Sequence, residues 1–312
     1  MPTNIPQLGV MFPQNEIGGS VDNLDHFIDA AIAGGCRHIW ATDHVVGVDT
    51  SRRPDWAGPY TVDSEFHEPL MLFAYLAARC ELELFTGVII LPQRQTVLVA
   101  KQAAELDLLC RGRLRLGVGV GWNPVEYQAL GMDFSTRGRR IEEQITLLRQ
   151  LWSQRVVDFC GEFDQVDGAG IAPLPVQRPI PVWMGAGDSP AGLRRIGRLA
   201  DGYLAQAVAT GDGQVERHLA QVRQGAELAG RDFSGLGIQG LVPVVGKSDG
   251  EILDIAGRWR DLGASHLSID PRAVSLHVNQ DLSMEEKLAR QRSSLSLLVD
   301  NLQRATALLA RL

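Results

Sequence analysis

The turn Gly185-Ala-Gly187-Asp-Ser189-Pro190 is the local segment best equipped for chemistry. Glycines let backbone N–H groups come close to an anion. Ser189 can cap a helix and Pro190 fits its first turn, so the segment reads as a strand end running into a helix N-terminus. The helix end alone contributes only about 0.3–1 kcal/mol toward an exposed anion, so several converging amides must supply the rest of a phosphate site. An ordinary tight strand-to-helix turn has the same sequence, and both readings stand at this level. Other chemistries lack their residues. Cys36, Cys80, Cys110 and Cys160 contain no Cys-x-x-Cys pair, so neither a metal site nor a disulfide scaffold is expected. They read as reduced thiols of a cytoplasmic protein. A Schiff-base aldolase needs a lysine at a strand end, whereas Lys101, Lys247 and Lys287 fall on helices or in loops.

Composition bounds the partners. A net charge of −7 without a run of Lys or Arg argues against nucleic acid and anionic lipid, leaving a small molecule. The apolar stretch 8–12 is far too short to span a bilayer, and no charged leader precedes it. At 312 residues and 45% apolar, the chain has material for one large core.

The elements that must carry the turn alternate along the chain. Short aliphatic runs at 8–12, 38–42, 82–91, 113–120, 181–185, 202–206, 236–245 and 266–269 predict strands. Amphipathic stretches at 21–33, 69–79, 96–109, 137–152, 190–199, 213–229, 249–262 and 283–312 predict helices. Eight such pairs favour a closed α/β barrel, a (β/α)8 TIM barrel formed by residues 1–312 as one domain. Two connections are long. Residues 45–68 follow the second strand and read as a substrate lid on the catalytic face, while 156–179 follow the fourth helix and read as a hairpin on the opposite side.

The stretch from Leu82 to Trp152 is more specific. It contains Phe85-Thr-Gly-Val-Ile-Ile-Leu-Pro-Gln-Arg94 and Ala100-Lys-Gln-Ala-Ala-Glu-Leu-Asp107. Gly112-Arg-Leu-Arg-Leu-Gly-Val-Gly-Val-Gly-Trp122-Asn-Pro-Val-Glu126 follows, then Arg137-Gly-Arg. With Asp43-His44, Gly185-Ala-Gly187 and Ala200-Asp-Gly202, this succession resembles the luciferase-like flavin and deazaflavin oxidoreductases, closest to the subgroup that uses coenzyme F420. The resemblance spans nearly the whole chain. It implies a bacterial-luciferase-like barrel with F420, or alternatively FMN, across its mouth and the cofactor phosphate near Gly185, Ala186 and Gly187.

The resemblance also implies a bulged third strand with a non-proline cis peptide at Gly87–Val88, flanked by Thr86, and a ring wall that includes Gly119, Val120 and Trp122. His44 matches the family's active-site histidine. An imidazole with a reference pKa of about 6.5 is able to pass a proton at neutral pH. Asp43 beside it would orient backbone or cofactor hydroxyls. Glu126, Arg94 and Arg137 match recurring positions and read equally as ion pairs or cofactor contacts; His67, Trp56 and His277 are candidate substrate contacts. One departure matters. The family's sugar-phosphate dehydrogenases carry a catalytic Glu followed three residues later by Asn, and those places hold Trp122 and Val125 here. The expectation is a hydride-transferring oxidoreductase, with an FMN monooxygenase and a non-catalytic flavin binder as alternatives, and with pairing into homodimers as in relatives.

Overall fold

In the computed structural model, which describes residues 5–272 and 294–310, the predicted alternation closes on itself. The strands are β1 (Gln7–Met11), β2 (His38–Ala41), β3 (Glu83–Thr86), β4 (Ile89–Ile90), β5 (Leu114–Gly119), β6 (Val157–Cys160), β7 (Gln165–Ala169), β8 (Val182–Met184), β9 (Gly202–Leu204), β10 (Gly237–Pro243) and β11 (His266–Asp270). All but β6 and β7 form one parallel sheet in the order β3-β2-β1-β11-β10-β9-β8-β5-β4, and a further β3–β5 pairing shuts the barrel. β3 and β4 are two halves of one stave, interrupted at Gly87–Val88, so the staves number eight.

Helices cover the outside: α1 (Gln14–Ile17), α2 (Val21–Ala33), α3 (Pro69–Arg79), α4 (Thr96–Leu109), α5 (Pro124–Ala129), α6 (Arg137–Ser153), α7 (Pro190–Leu199), α8 (Gln214–Leu228), α9 (Asp249–Asp261) and α10 (Leu295–Leu309). The predicted final helix 283–312 is described only over α10; His277 and Lys287 lie outside the described residues. None of the described helices is long and apolar enough to cross a membrane.

Strand alternation sorts the side chains into two cores. Val10, Ile39 and Leu84 point outward into the strand–helix layer, whereas Met11, Trp40, Phe85, Val88, Trp183 and Leu241 fill the barrel interior. With both faces covered, the strands read as continuous apolar runs rather than alternating ones. At the amino end the interior turns polar. Arg115 lies over the rings of Phe85 and Trp183 at 4.9 and 4.8 Å and pairs with Glu83, while His38 Nε2 meets Ser268 Oγ at 2.8 Å. Burial, and after it the Arg115 charge, pushes His38 well below its ordinary pKa and His266 down to about 3, so both stay neutral beside the guanidinium.

One predicted element reaches further than its sequence suggests. The segment 156–179 does form an antiparallel hairpin, β6–β7. It leaves α6 at the amino end, but its tip climbs the outer wall. The Glu143 carboxylate on α6 accepts the N–H groups of Glu162, Phe163 and Asp164, and Thr96 at the start of α4 donates to Asp164 at 2.7 Å. Three amides gathered by one carboxylate hold the hairpin against the barrel side.

Candidate active site

The carboxyl ends of β2, β4, β5, β8 and β9 surround an open cleft of about 310 Å³, the lower end of the range for small-molecule sites. Its lining brings together Asp43, His44, Gly87, Val88, Gly119, Val120, Trp122, Gly185, Ala186 and Gly187, ten of the eleven positions expected to be the active-site histidine or to border the cofactor, and adds Thr42, Tyr60, Ile90, Gly121 and Gln206. Thr86 is the exception. It is fully buried beneath the floor, and its hydroxyl donates to the Gly117 carbonyl at 2.8 Å, tying β3 to β5.

Much of the wall is main chain because side chains would not fit. The Gly87–Val88 peptide bond is cis, as the resemblance implied. A Cβ on Gly87 would fall 1.9 Å from Cε3 of Trp40, a ring packed in the barrel interior; one on Gly119 would fall 2.6 Å from Cγ2 of Val88. Across the cleft, Ser189 caps α7 by accepting the Gly192 N–H at 3.3 Å, with Pro190 in the first turn, as its sequence predicts. The expected set of converging amides is smaller than the motif suggested. Gly185 N–H bonds to Val118 O at 3.1 Å within the barrel, and Gly187 N–H donates to Gln206 Oε1 at 3.0 Å.

The side-chain chemistry gathers opposite this turn. His44 Nδ1 lies 3.2 and 3.3 Å from the two carboxylate oxygens of Glu126, which also accepts the Val45 N–H at 2.8 Å. Asn123 caps α5 by accepting the Val125 N–H at 2.9 Å, and Pro124 opens that helix, which sets Glu126 in its first turn facing the histidine. Burial raises the Glu126 carboxyl, but the His44 hydrogen bond and charge and the amides of Val45 and Val46 outweigh it, leaving the group below its ordinary value. Glu126 is therefore an acceptor, the shared proton sits on Nδ1, and Nε2 is the ring atom free for exchange. Tyr60, Phe66 and Trp122 enclose the imidazole at centroid distances of 4.6, 4.8 and 5.7 Å.

Asp43 serves the frame. Its carboxylate accepts both oxygens' worth of contact from Arg94 Nη2, at 2.9 and 3.0 Å, and the Ile90 N–H at 3.1 Å. Burial pushes it above the usual carboxylate range although Arg94 and that amide act against it. Arg94 also reaches Glu68 at 3.0 Å, while Gln14 donates to Thr42 O at 2.6 Å and accepts the His67 N–H at 2.9 Å. Both ends of the 45–68 connection, at 42–43 and 67–68, are thus held together from two sides. His67 packs edge-on against Phe12 at 5.8 Å, and Arg137 stacks on Phe134 at 3.7 Å; neither lines the cleft. Trp56 does contact the site, lying 5.6 Å from Trp122. Below the lid, Arg272 pairs with Asp270 at 2.7 and 2.9 Å beside Tyr60 and Glu16, whose carboxyl burial pushes up to about 7 against the pull of Arg272.

Sequence reasoning missed Gln206 and Tyr60 and left Glu126 between two readings. Gln206 was detectable as a polar residue just past an apolar strand, but Tyr60 carries no local signal. Among the described residues no cluster of His, Cys, Asp or Glu is arranged to hold a metal ion.

The profile of the luciferase-like monooxygenase family matches residues 13–310. The chain belongs to that family. An F420-dependent hydroxymycolic acid dehydrogenase of Mycobacterium tuberculosis is 31% identical over 245 residues, 77% of this chain and 63% of that protein. An F420-dependent glucose-6-phosphate dehydrogenase of Gordonia bronchialis is 36% identical over 142 residues, 44% of this chain and 41% of that protein. The chain spans less than two thirds of the length of the curated relatives it matches. An F420-dependent secondary alcohol dehydrogenase, solved with an F420–acetone adduct, superimposes with a TM-score of 0.69 at 16% identity, covering 93% of this chain and 99% of that one. That likeness establishes the shared barrel.

Proposed function

We propose that the protein is an oxidoreductase that moves a hydride between coenzyme F420 and a small organic substrate bound under the 45–68 lid. The observation that carries this reading is the His44–Glu126 pair standing at the edge of a glycine-walled cleft. The family and the two F420-dependent relatives support the choice of cofactor. The cleft also suits a broad flat ring. Gly87, Gly119 and Gly185 leave main chain where side chains would fill the floor, and Val88 and Ile90 offer an apolar wall. The amides of Ala186 and Asp188, with the helix end behind Ser189, would hold a phosphate, and Gln206 would release the Gly187 N–H to join them.

When bound, the deazaflavin supplies the hydride chemistry, and the protein supplies position and proton control. Glu126 fixes the Nδ1–H tautomer of His44. Nε2 then takes a proton from a substrate hydroxyl as it becomes a carbonyl, or returns one in the opposite direction. Arg94, Asp43 and Gln14 keep the lid feet in register, and the aromatic rings around His44 exclude water from the reacting atoms. The test is a parallel titration of the purified protein with F420 and FMN. The proposal expects F420 to bind in the micromolar range and FMN far more weakly; tight binding of FMN alone overturns it in favour of a flavin monooxygenase. Binding of F420 with His44→Ala having no effect on turnover of any substrate would instead favour a cofactor-sequestering protein.

A further inference from the structure

The cleft has two chemically distinct halves, and the half toward the lid is aromatic. Trp122 keeps 42% of its surface exposed although it sits in a concave site, which is an unusual position for a large indole without a function. Its neighbours are flat as well. Trp56 lies 5.6 Å away with planes 34° apart, and Tyr60 lies 6.4 Å away at 37°. These rings are held, not loose: Trp56 Nε1 donates to the Tyr60 carbonyl at 3.0 Å. Gly58 presses on both indoles, since a Cβ there would fall 2.3 Å from Trp56 Cζ2 and 2.7 Å from Trp122 Cζ3.

Among the described lining residues there is no Lys or Arg. Arg94 is spent on Asp43 and Glu68, and Arg272 on Asp270 beneath Tyr60. A phosphorylated or carboxylated substrate would bring its charge to a surface of indole and phenol rings with no Lys or Arg among the described lining residues. A flat uncharged molecule would instead bury apolar area and stack.

We infer that the lid half of the cleft, built on Trp122, Trp56 and Tyr60, selects an uncharged, planar apolar substrate, such as a cyclic enone or aromatic ketone, and discriminates against sugar phosphates. This deepens the reading of the preceding subsection and rests on it for the reaction, but not for the binding. By the sequence resemblance, Trp122 stands where sugar-phosphate dehydrogenases of the family carry a catalytic carboxylate, so the same side chain that offers the stacking face would also remove the polar one.

The experiment uses the full chain with 7-methoxycoumarin, a neutral planar fluorophore, followed by fluorescence anisotropy with and without saturating F420. The expected result is saturable binding that survives F420 addition and is unaffected by glucose 6-phosphate. Trp122→Ala and Trp56→Ala should each weaken it roughly two- to twelvefold, the worth of one lost aromatic contact. Trp122→Leu, apolar but not flat, should weaken it comparably, and circular dichroism of each variant checks that the fold is intact. The inference is overturned by absence of coumarin binding, by its displacement on adding F420 or glucose 6-phosphate, or by unchanged affinity in folded Trp122→Ala. Failure of F420 to bind in the same titration counts against the cofactor assignment alone, because the coumarin arm without F420 is read separately.

Discussion

Replacing Glu126 by Gln changes one atom's character and should disarm the histidine while leaving the fold standing. The amide oxygen would keep the Val45 N–H, the shorter of the two contacts at 2.8 Å. That choice turns the amide NH2 toward His44 Nδ1, 3.2–3.3 Å away, where two donors would face each other. The cheapest escape is a tautomer change: Nδ1 becomes the acceptor and the proton moves to Nε2. A hydrogen bond to a charged group contributes about 1.5–3 kcal/mol and a neutral one about 1, so the exchange costs roughly 0.5–2 kcal/mol in stability. The catalytic effect is larger because Nε2 now carries a proton it should accept. A loss of about tenfold to hundredfold in kcat/KM, or about 1.4–2.7 kcal/mol of barrier, is expected. Long-range proton–nitrogen NMR on the imidazole reads the tautomer directly, without needing the physiological substrate. A variant whose His44 keeps its proton on Nδ1 would refute the argument, as would full activity with the tautomer moved.

Gly119→Ala should weaken F420 binding at least tenfold and also destabilise the fold by about 1–3 kcal/mol, because the new methyl falls 2.6 Å from buried Val88 in the cleft wall; titration of cofactor fluorescence and thermal unfolding measure the two effects. Arg94→Ala strips the partner from a carboxylate whose side chain is 1% exposed, so urea unfolding at pH 7 should show about 3–5 kcal/mol of destabilisation. That penalty should shrink in acid, where the Asp43 carboxyl, already raised by burial, takes up a proton. Glu16 has a folded pKa raised from 4.5 to about 7, so the folded state binds the extra proton and stability falls as pH rises between those values. Glu16→Gln should therefore change little at pH 4 and stabilise the protein by about 2–3 kcal/mol at pH 8, seen as a melting temperature that no longer drops across that window.

The barrel was legible because its signals are local. Seven of the eight predicted helices, such as Val21–Ala33, Pro69–Arg79 and Thr96–Leu109, have limits within a residue of the predicted ones, since periodic apolar stretches and capping residues such as Ser189 act over one or two turns. The interruption of 82–91 into β3 and β4 was readable only through the family resemblance. Its cause is tertiary: Gly87 has no side chain because Trp40 of the neighbouring stave occupies that space. The pairing of His44 with Glu126 spans 82 residues and that of Gln14 with His67 spans 53, and no periodicity records such contacts. That the hairpin's tip climbs the outer wall was unreadable for the same reason. Glu143 looks like one more surface carboxylate until the three amides of the tip are seen converging on it.

The two halves of the cleft differ in what evolution is able to change cheaply. The half proposed for the cofactor is main chain: Gly87, Gly119 and the Gly185–Gly187 turn are glycines because Trp40 and Val88 leave no room for Cβ atoms, or because Gly187 sits at φ +52. Altering that half means rebuilding the barrel interior. The lid half consists of side chains, and a single exchange such as carboxylate for Trp122 converts a polar wall into an apolar one at little cost to the fold, since the indole is only partly buried. On the proposed reading the cofactor half is set by the backbone, whereas the substrate half must be argued residue by residue. By that reasoning a relative's sugar phosphate carries little weight here, and the proposed role of the His44–Glu126 pair at the edge of the cleft rests on this chain's own geometry.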